Sequence, residues 1–216
     1  MSYIKLYQYV HCPFCVRIRM VAGFLEVPFE STVLDYNDEN TPIELMGVKM
    51  LPIVEYPDGE KSNESLEIIL RLDKENQLRT KNIVSNIASL DLLISRIGKE
   101  VHSLAMPYWM WTPEFNDESR AYFQQKKEIK RGSFKELIKN KALFIKNLNS
   151  ILNEEILPHL QPFYKSETMT LQDILLASHL WGMYTVPEFQ FSDKIHYYLQ
   201  TIGEQTKFDY HRDFWN

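Results

Sequence analysis

The chain has 216 residues, of which 44% are hydrophobic and 25% charged, a balance typical of a globular protein long enough to bury one large core or two smaller ones. Its net charge of -5 argues against nucleic acid as the main partner, because binding to phosphates needs a basic face. No apolar run approaches the roughly 20 residues that span a bilayer, and the N-terminal residues lack the layout of a secretion signal, so a cytoplasmic protein that does not enter a membrane is expected.

The first 75 residues predict a small α/β domain. Strand-like and helix-like patterns alternate in the order strand, helix, strand, helix, strand, strand, helix. The predicted elements are, in chain order, strand 3–9, a helix from Pro13, strand 29–34, a helix started by a capping box at 41–44, strand 51–56, strand 60–62 and helix 65–73. The early strands, joined by a helix, should be parallel, and the late hairpin should be antiparallel.

The rest of the chain predicts an all-helical domain. Domain bounds of 1–75 and 82–216 are expected, with a polar linker at 76–81. Apolar residues from Ile83 to Val101 repeat at helical spacing without a break and predict one long helix that faces the core. Further helices are predicted at 117–128, 133–156, 171–184 and 193–203.

Both cysteines of the chain lie in one tetrapeptide, Cys12-Pro13-Phe14-Cys15. A structural disulfide across two residues would close too small a loop to stabilise a fold much. A zinc site needs four ligands, and the sequence has neither a second cysteine pair nor a closely spaced histidine pair. Redox chemistry is therefore the preferred interpretation of the pair.

The tetrapeptide lies between the first predicted strand and the first predicted helix. Cys12 at a helix N-terminus faces unpaired N–H groups and the positive end of the helix dipole, so its pKa should fall and its thiolate should be nucleophilic at neutral pH. Cys15 lies one turn further on the same face and can attack a mixed disulfide at Cys12. Pro13 fits the first helical position, where its missing N–H costs nothing.

The charged neighbours of the pair are given minor roles. Arg17 and Arg19 add positive charge within two turns, and both are interpreted as solvated side chains. His11 is adjacent to Cys12 in an extended segment and is predicted to point away from it.

The stretch from Tyr9 to Cys15 resembles the active site of glutaredoxins, with phenylalanine at position 14 where tyrosine is common. Residues 50–54 resemble the thioredoxin-fold loop that carries a cis proline beside the active site. The resemblance implies that Leu51 and Pro52 pair with bound glutathione. The residues alone also allow a trans proline that opens an edge strand.

Four other residues are implied to contact glutathione. Glu64 and Ser65, before a predicted helix, resemble the pair with which glutathione transferases hold the γ-glutamyl group; the alternative is that they only cap the helix. Lys49 is interpreted as solvated, although by resemblance it pairs with the glycine carboxylate. Phe14 completes the implied glutathione-binding set.

The helical half resembles the second domain of glutathione transferases, whose buried capping box matches residues 170–173. Residues 122–134 resemble more specifically the two-domain bacterial glutaredoxin-2 family, and the likeness extends from about residue 3 to residue 185. The resemblance implies an α/β thioredoxin-like N-terminal domain, an all-α glutathione-transferase-like C-terminal domain and a monomer.

The same resemblance implies a glutathione-dependent thiol–disulfide oxidoreductase, with Cys12 as the nucleophile and Cys15 as the resolving thiol. Its partners would be glutathione, as co-substrate, and disulfide-bonded or glutathionylated proteins, and it would need neither metal nor nucleotide. An omega-like glutathione transferase is the first alternative, but that class typically lacks the second cysteine. A non-enzymatic interaction protein on the same fold is the second alternative, and the intact cysteine pair counts against it.

The segment 106–111 is rich in aromatic residues, and the preferred interpretation is that it packs between the domains. The alternative is that it forms a substrate-facing wall opposite Cys12.

Overall fold

The computed structural model describes residues 3–209, and its N-terminal part is built on a four-stranded sheet. The elements are β1 (Ile4–Gln8), α1 (Pro13–Phe24), β2 (Phe29–Val33), α2 (Asn40–Met46), β3 (Ile53–Glu55), β4 (Lys61–Ser62) and α3 (Ser65–Leu72). The strand order is β2-β1-β3-β4, with β1 parallel to β2 and antiparallel to β3, and with β3 antiparallel to β4. The predicted mixed sheet is confirmed.

The remaining described chain is helical. It contains α4 (Thr80–Val84), α5 (Ala88–Trp109), α6 (Asp117–Arg131), α7 (Phe134–Lys139), α8 (Lys141–Ile151), a π-helical turn (Leu152–Ile156), short 3₁₀ turns (Leu157–His159 and Trp181–Thr185), α9 (Leu171–Leu180) and α10 (Asp193–Gln205). The predicted thioredoxin-like and all-helical architecture is confirmed. The predicted domain bounds of 1–75 and 82–216 stay predictions.

Helix α1 is the element that joins the two halves. It packs against α3 in the N-terminal part and against α9 in the helical part. Four of its buried apolar residues, Val16, Ile18, Met20 and Val21, belong to one continuous apolar core that also includes residues of α5 and α9. Since α1 is covered on several sides, even its arginines are buried.

The prediction of one long helix from Ile83 to Val101 is wrong, because a turn at residues 85–87 separates α4 from α5. The Ser85 hydroxyl donates to the Asn82 carbonyl over 2.9 Å, and the Asn86 amide donates to the same carbonyl over 3.1 Å. Such local bonds compete with the helical pattern, and Ile83 and Ile87 on either side are only partly buried.

Two other helix predictions need correction. The capping box at 41–44 is absent: α2 starts at Asn40, two residues before the first helical position that the box implies, and the Asp38 carboxylate accepts the Thr41 backbone N–H over 3.0 Å. The helix predicted at 133–156 divides at Asn140, whose side-chain amide donates to the Glu136 carbonyl, and its last turn widens to a π-helix.

The polar segment at 76–81 is an ordered turn. The Asp73 carboxylate accepts the backbone N–H groups of Gln77 and Leu78 over 2.8 and 3.1 Å, and the Thr80 hydroxyl over 2.5 Å. The Leu171 N–H donates to the Leu78 carbonyl, so the start of α9 is bonded to this segment.

Candidate active site

The two cysteines lie at the start of α1. Cys12 is the residue before the helix, and Pro13 takes the first helical position as predicted. The backbone N–H groups of Cys15 and Val16 donate to the Cys12 carbonyl over 3.0 and 2.9 Å, which closes the first turn. Both thiols are free; Cys12 is partly exposed and Cys15 is fully buried. Cys12 is therefore the more accessible of the two thiols.

The environment stabilises the Cys12 thiolate and lowers the pKa of Cys12 to about 6. The main cause is a hydrogen bond from the Cys15 thiol, and the charge of His11 and the N–H groups of Cys15 and Phe14 add to it against the cost of burial. Burial raises the pKa of Cys15 well above its usual range, so Cys15 keeps its proton while Cys12 is a thiolate. The pKa of Cys12 is thus lowered, as predicted, but the Cys15 thiol lowers it more than the N–H groups at the helix terminus do.

The side chain of His11 makes a contact that the sequence does not indicate. It is buried, and its Nδ1 lies 2.8 Å from Oε2 of Glu114. The same carboxylate accepts the backbone N–H groups of Val10 and His11 over 2.8 and 3.2 Å. Glu114 was missed because nothing in its sequence context points to a residue more than 100 positions earlier.

Arg17 and Arg19 are 5% and 7% exposed, so their interpretation as solvated side chains is wrong. The guanidinium of Arg17 lies 4.6 Å from the centre of the Phe14 ring, and its Nη1 donates to Ser65 Oγ over 3.4 Å. The Nη2 of Arg19 donates to the Val10 carbonyl over 2.8 Å. Burial lowers the pKa of each arginine to about 10.

The loop beside the cysteines carries the predicted cis bond between Leu51 and Pro52. Leu51 is buried in a small cluster with Tyr9 and Cys15, and Cys12 packs against that cluster. Because the Leu51–Pro52 bond is cis, the alternative of a trans proline that opens an edge strand is wrong.

A cavity of about 820 Å³ opens beside the start of α3. Phe14, Arg17, Glu64 and Ser65 line one part of it, and α5 and His179 line the rest. Ser65 is buried and begins α3, whereas Glu64 stands at the capping position without a side-chain hydrogen bond to the helix. Simple helix capping therefore does not account for Glu64.

Lys49 lies apart from this cavity and is less exposed than its interpretation as solvated predicts. Its Nζ donates to the Tyr36 carbonyl over 2.7 Å, and burial lowers the pKa of the amine. The structure thus brings Phe14, Glu64 and Ser65 together around one cavity and leaves Lys49 in a separate cleft.

The aromatic segment 106–111 has two environments. Trp109 is buried, 5.4 Å from the His11 ring and stacked on Trp181 at 6.0 Å between ring centres. A Cβ atom on Gly182 would lie 2.4 Å from the Trp109 ring, so only glycine fits there. The preferred interpretation, packing between the domains, is confirmed for Trp109, whereas Trp111 is 68% exposed.

Residues 3–209 contain no group of three or more His, Cys, Asp or Glu side chains placed to hold a metal ion. None of the helices in that range is long and apolar enough to cross a membrane.

Comparisons with known proteins agree with this arrangement. Residues 89–213 match the family model described as glutaredoxin 2, C terminal domain, and residues 11–75 match the glutathione S-transferase N-terminal domain. Glutaredoxin 2 of Escherichia coli K12 is 27% identical over 94% of this chain and 96% of its own length.

Solved structures show the same likeness. The structure of glutaredoxin 2 from Salmonella typhimurium in complex with glutathione is 28% identical, covers 99% of both chains and superposes with a TM-score of 0.85. A glutathione transferase of Phanerochaete chrysosporium, 15% identical, covers 97% of this chain and 100% of its own with a TM-score of 0.78, and shares the fold.

Proposed function

The chain belongs to the glutaredoxin 2 family, and we propose that it uses Cys12 and Cys15 as the dithiol of a glutathione-dependent disulfide oxidoreductase. The observation that carries the assignment of roles is the position of the two thiols: Cys12 is partly exposed at the start of α1, whereas Cys15 is buried one turn further on. The Cys15 thiol also stabilises the Cys12 thiolate and lowers the pKa of Cys12 to about 6. A thiolate present at neutral pH is the species that attacks a disulfide.

In the first step the Cys12 thiolate attacks one sulfur of the substrate disulfide. A new S–S bond forms to Cys12, the old one breaks, and the released thiolate takes a proton. In the dithiol route Cys15 then loses its proton, attacks the Cys12 sulfur and releases the second substrate thiol. Two glutathione molecules reduce the resulting Cys12–Cys15 bond and leave as glutathione disulfide.

A glutathionylated substrate needs only Cys12. Attack on the glutathione sulfur releases the reduced substrate and leaves glutathione on Cys12, and a second glutathione thiolate then frees Cys12 as glutathione disulfide forms. Glutathione as co-substrate is supported by the glutaredoxin 2 of Salmonella typhimurium, whose structure is a complex with glutathione.

We place glutathione along the residues that surround the dithiol. Pro52 and Leu51 would pair with its cysteinyl part, Ser65 and Glu64 would hold its γ-glutamyl group, and Lys49 would hold its glycine carboxylate. Phe14 would supply an apolar wall, since its ring is 46% exposed and lines the cavity with Ser65.

Arg17 would add a charge partner for the γ-glutamyl carboxylate. Its guanidinium is buried beside Ser65, and its Nε has no hydrogen-bond partner among residues 3–209. No carboxylate of the described chain lies within 4 Å of this cation. The charges of Cys12 and Asp91 act on this cation without a hydrogen bond to it. A buried cation is costly unless it is paired directly, so a bound carboxylate would stabilise it.

Arg17→Met tests this placement by a comparison of two ligands. It should weaken the binding of S-methylglutathione about tenfold, because a charge-assisted hydrogen bond is lost. It should leave unchanged the binding of the analogue in which γ-aminobutyrate replaces the γ-glutamyl residue and the carboxylate is absent. Calorimetry gives both dissociation constants, with Arg17→Lys as the variant that keeps the charge. Equal weakening of both ligands would contradict the placement.

The omega-like transferase alternative is less well supported, since Cys15 lies in hydrogen-bond contact with Cys12, where a transferase of that class needs no second thiol. The same proposal includes three further points. The substrates are disulfide-bonded or glutathionylated proteins, the protein is a monomer, and its location is cytoplasmic. Size-exclusion chromatography with light scattering checks the monomer.

The direct test is reduction of hydroxyethyl disulfide with glutathione, glutathione reductase and NADPH. We expect NADPH oxidation that depends on both the protein and glutathione. A parallel reaction with thioredoxin reductase in place of glutathione and its reductase should show none. Turnover only in the thioredoxin-reductase reaction would refute the proposed function.

A further inference from the structure

A second cleft, of about 390 Å³, lies near the dithiol and is lined by four lysines: Lys49, Lys126, Lys127 and Lys130. We call it the lysine cleft. Two of the lysines of α6 lie against tyrosine rings: the Nζ of Lys126 is 5.1 Å from the centre of the Tyr122 ring, and that of Lys127 is 5.4 Å from the centre of the Tyr36 ring. A protein with a net charge of -5 thus concentrates positive charge at one place.

The charges of the lysine cleft are only partly neutralised within the protein. Among residues 3–209, Glu39 is the one carboxylate that lines it, and Glu39 already accepts the Tyr122 hydroxyl and lies 3.8 Å from the Nζ of Lys49. Across the same residues, no carboxylate lies within 4 Å of the amines of Lys126, Lys127 or Lys130. Lys127 faces the negative charge of Cys12, so Lys126 and Lys130 are the cations without a direct ion pair.

The lysine cleft adjoins the reacting sulfur. Tyr9 lines it and also packs with both Cys12 and Cys15. Lys127 is partly buried, and burial lowers the pKa of its amine. The negative charge of Cys12 acts in the opposite direction and raises that pKa. A group bound in the cleft would therefore lie beside the sulfur that Cys12 attacks.

Helix stability does not explain the lysines. Basic side chains stabilise the last turn of a helix, which accounts for Lys130 but not for Lys126 and Lys127 further up. Lys126 and Lys130 are four residues apart, the spacing at which like charges destabilise a helix.

We propose that Lys126 and Lys130, on the α6 side of the lysine cleft, bind an acidic segment of the protein substrate, close to the cysteine whose disulfide or glutathione adduct Cys12 attacks. Lys49, on the other side, stays with the glycine carboxylate of glutathione. This inference rests on the proposed function and names the substrate class of the same site. The spacing fits an extended peptide: four helical residues rise about 6 Å, and alternate side chains of an extended chain lie about 6.6 Å apart on one face. Two carboxylates in an Asp-x-Asp or Glu-x-Glu pattern can therefore meet Lys126 and Lys130 together.

The test compares two glutathionylated peptides with the same cysteine and neighbours. One carries the pattern Glu-x-Glu beside the cysteine and the other carries Lys-x-Lys. The quantity measured is the ratio of kcat/KM for the acidic peptide to kcat/KM for the basic one, so an effect on the glutathione step cancels. The wild-type protein should favour the acidic peptide, and rising salt should reduce the ratio.

The double variant Lys126→Glu with Lys130→Glu should lower this ratio about tenfold or more, because attraction becomes repulsion at two positions. The matched control, Lys146→Glu with Lys194→Glu, makes the same change in net charge at two exposed lysines outside the cleft and should keep the wild-type ratio.

A ratio that stays unchanged in the cleft variant, or that falls equally in the control, would overturn the inference while the proposed function stands. A wild-type protein that reduces neither peptide in the presence of glutathione would instead contradict the proposed function and, with it, the inference.

Discussion

At the scale of single residues, reactivity at Cys12 depends on groups that the sequence shows only in part. The spacing of Cys12 and Cys15 and the position of Pro13 predicted a nucleophile at a helix start, since these features are local. The burial of Arg17 and the pairing of His11 with Glu114 could not be predicted, because both depend on chain segments distant in sequence.

Cys15→Ala tests the source of the low pKa of Cys12. Loss of the thiol hydrogen bond should raise the Cys12 pKa from about 6 toward the usual value near 8.5, and alkylation by iodoacetamide at pH 7 should slow accordingly. Cys15→Ser keeps a hydrogen-bond donor and should raise the pKa of Cys12 less than Cys15→Ala does. An unchanged pH profile in Cys15→Ala would show that the helix N–H groups suffice.

At the scale of elements, local signals decided which predictions were right. The capping box at the start of α9 is present, with the Thr170 N–H donating to Asp173 Oδ2 over 2.8 Å, because all its partners lie within four residues. The single helix predicted from Ile83 failed because periodicity carries no information on the Ser85 and Asn86 side chains that close the α4 turn.

Asp173→Ala should destabilise the protein by about 3 kcal/mol, because Asp173 is buried and also accepts the Tyr164 N–H and the Tyr198 hydroxyl over 2.8 and 2.9 Å. Urea unfolding measures the loss. Asp117→Ala, at an exposed position in the first turn of α6, is the matched control and should change stability little. Similar losses in both variants would contradict a special role for the buried box.

At the scale of the whole molecule, the helical part fixes the active-site segment of the sheet part. The residue that does so is Glu114, which lies after α5 and binds Val10 and His11 by three hydrogen bonds. Resemblance in sequence predicted the two-part architecture, but not this contact between the parts.

Glu114→Ala should lower the free energy of unfolding by about 3 kcal/mol, because it leaves buried N–H groups and His11 without an acceptor. Differential scanning calorimetry should show a lower Tm. Glu188→Ala removes an exposed carboxylate that contacts Tyr108 and Lys141 within the helical part, and it should have a much smaller effect. A Tm equal to that of the wild type in Glu114→Ala would refute the proposed link.

The central claim is that Cys12 is the nucleophile and Cys15 the resolving thiol. The most direct measurement is the rate at which Cys12→Ser and Cys15→Ser remove glutathione from a glutathionylated peptide with glutathione, glutathione reductase and NADPH. Cys12→Ser should fall to the uncatalysed rate, because a hydroxyl is a far poorer nucleophile than a thiolate. Cys15→Ser should keep most of its activity, since this route does not use Cys15. Full activity of Cys12→Ser, or equal loss in both variants, would contradict the account.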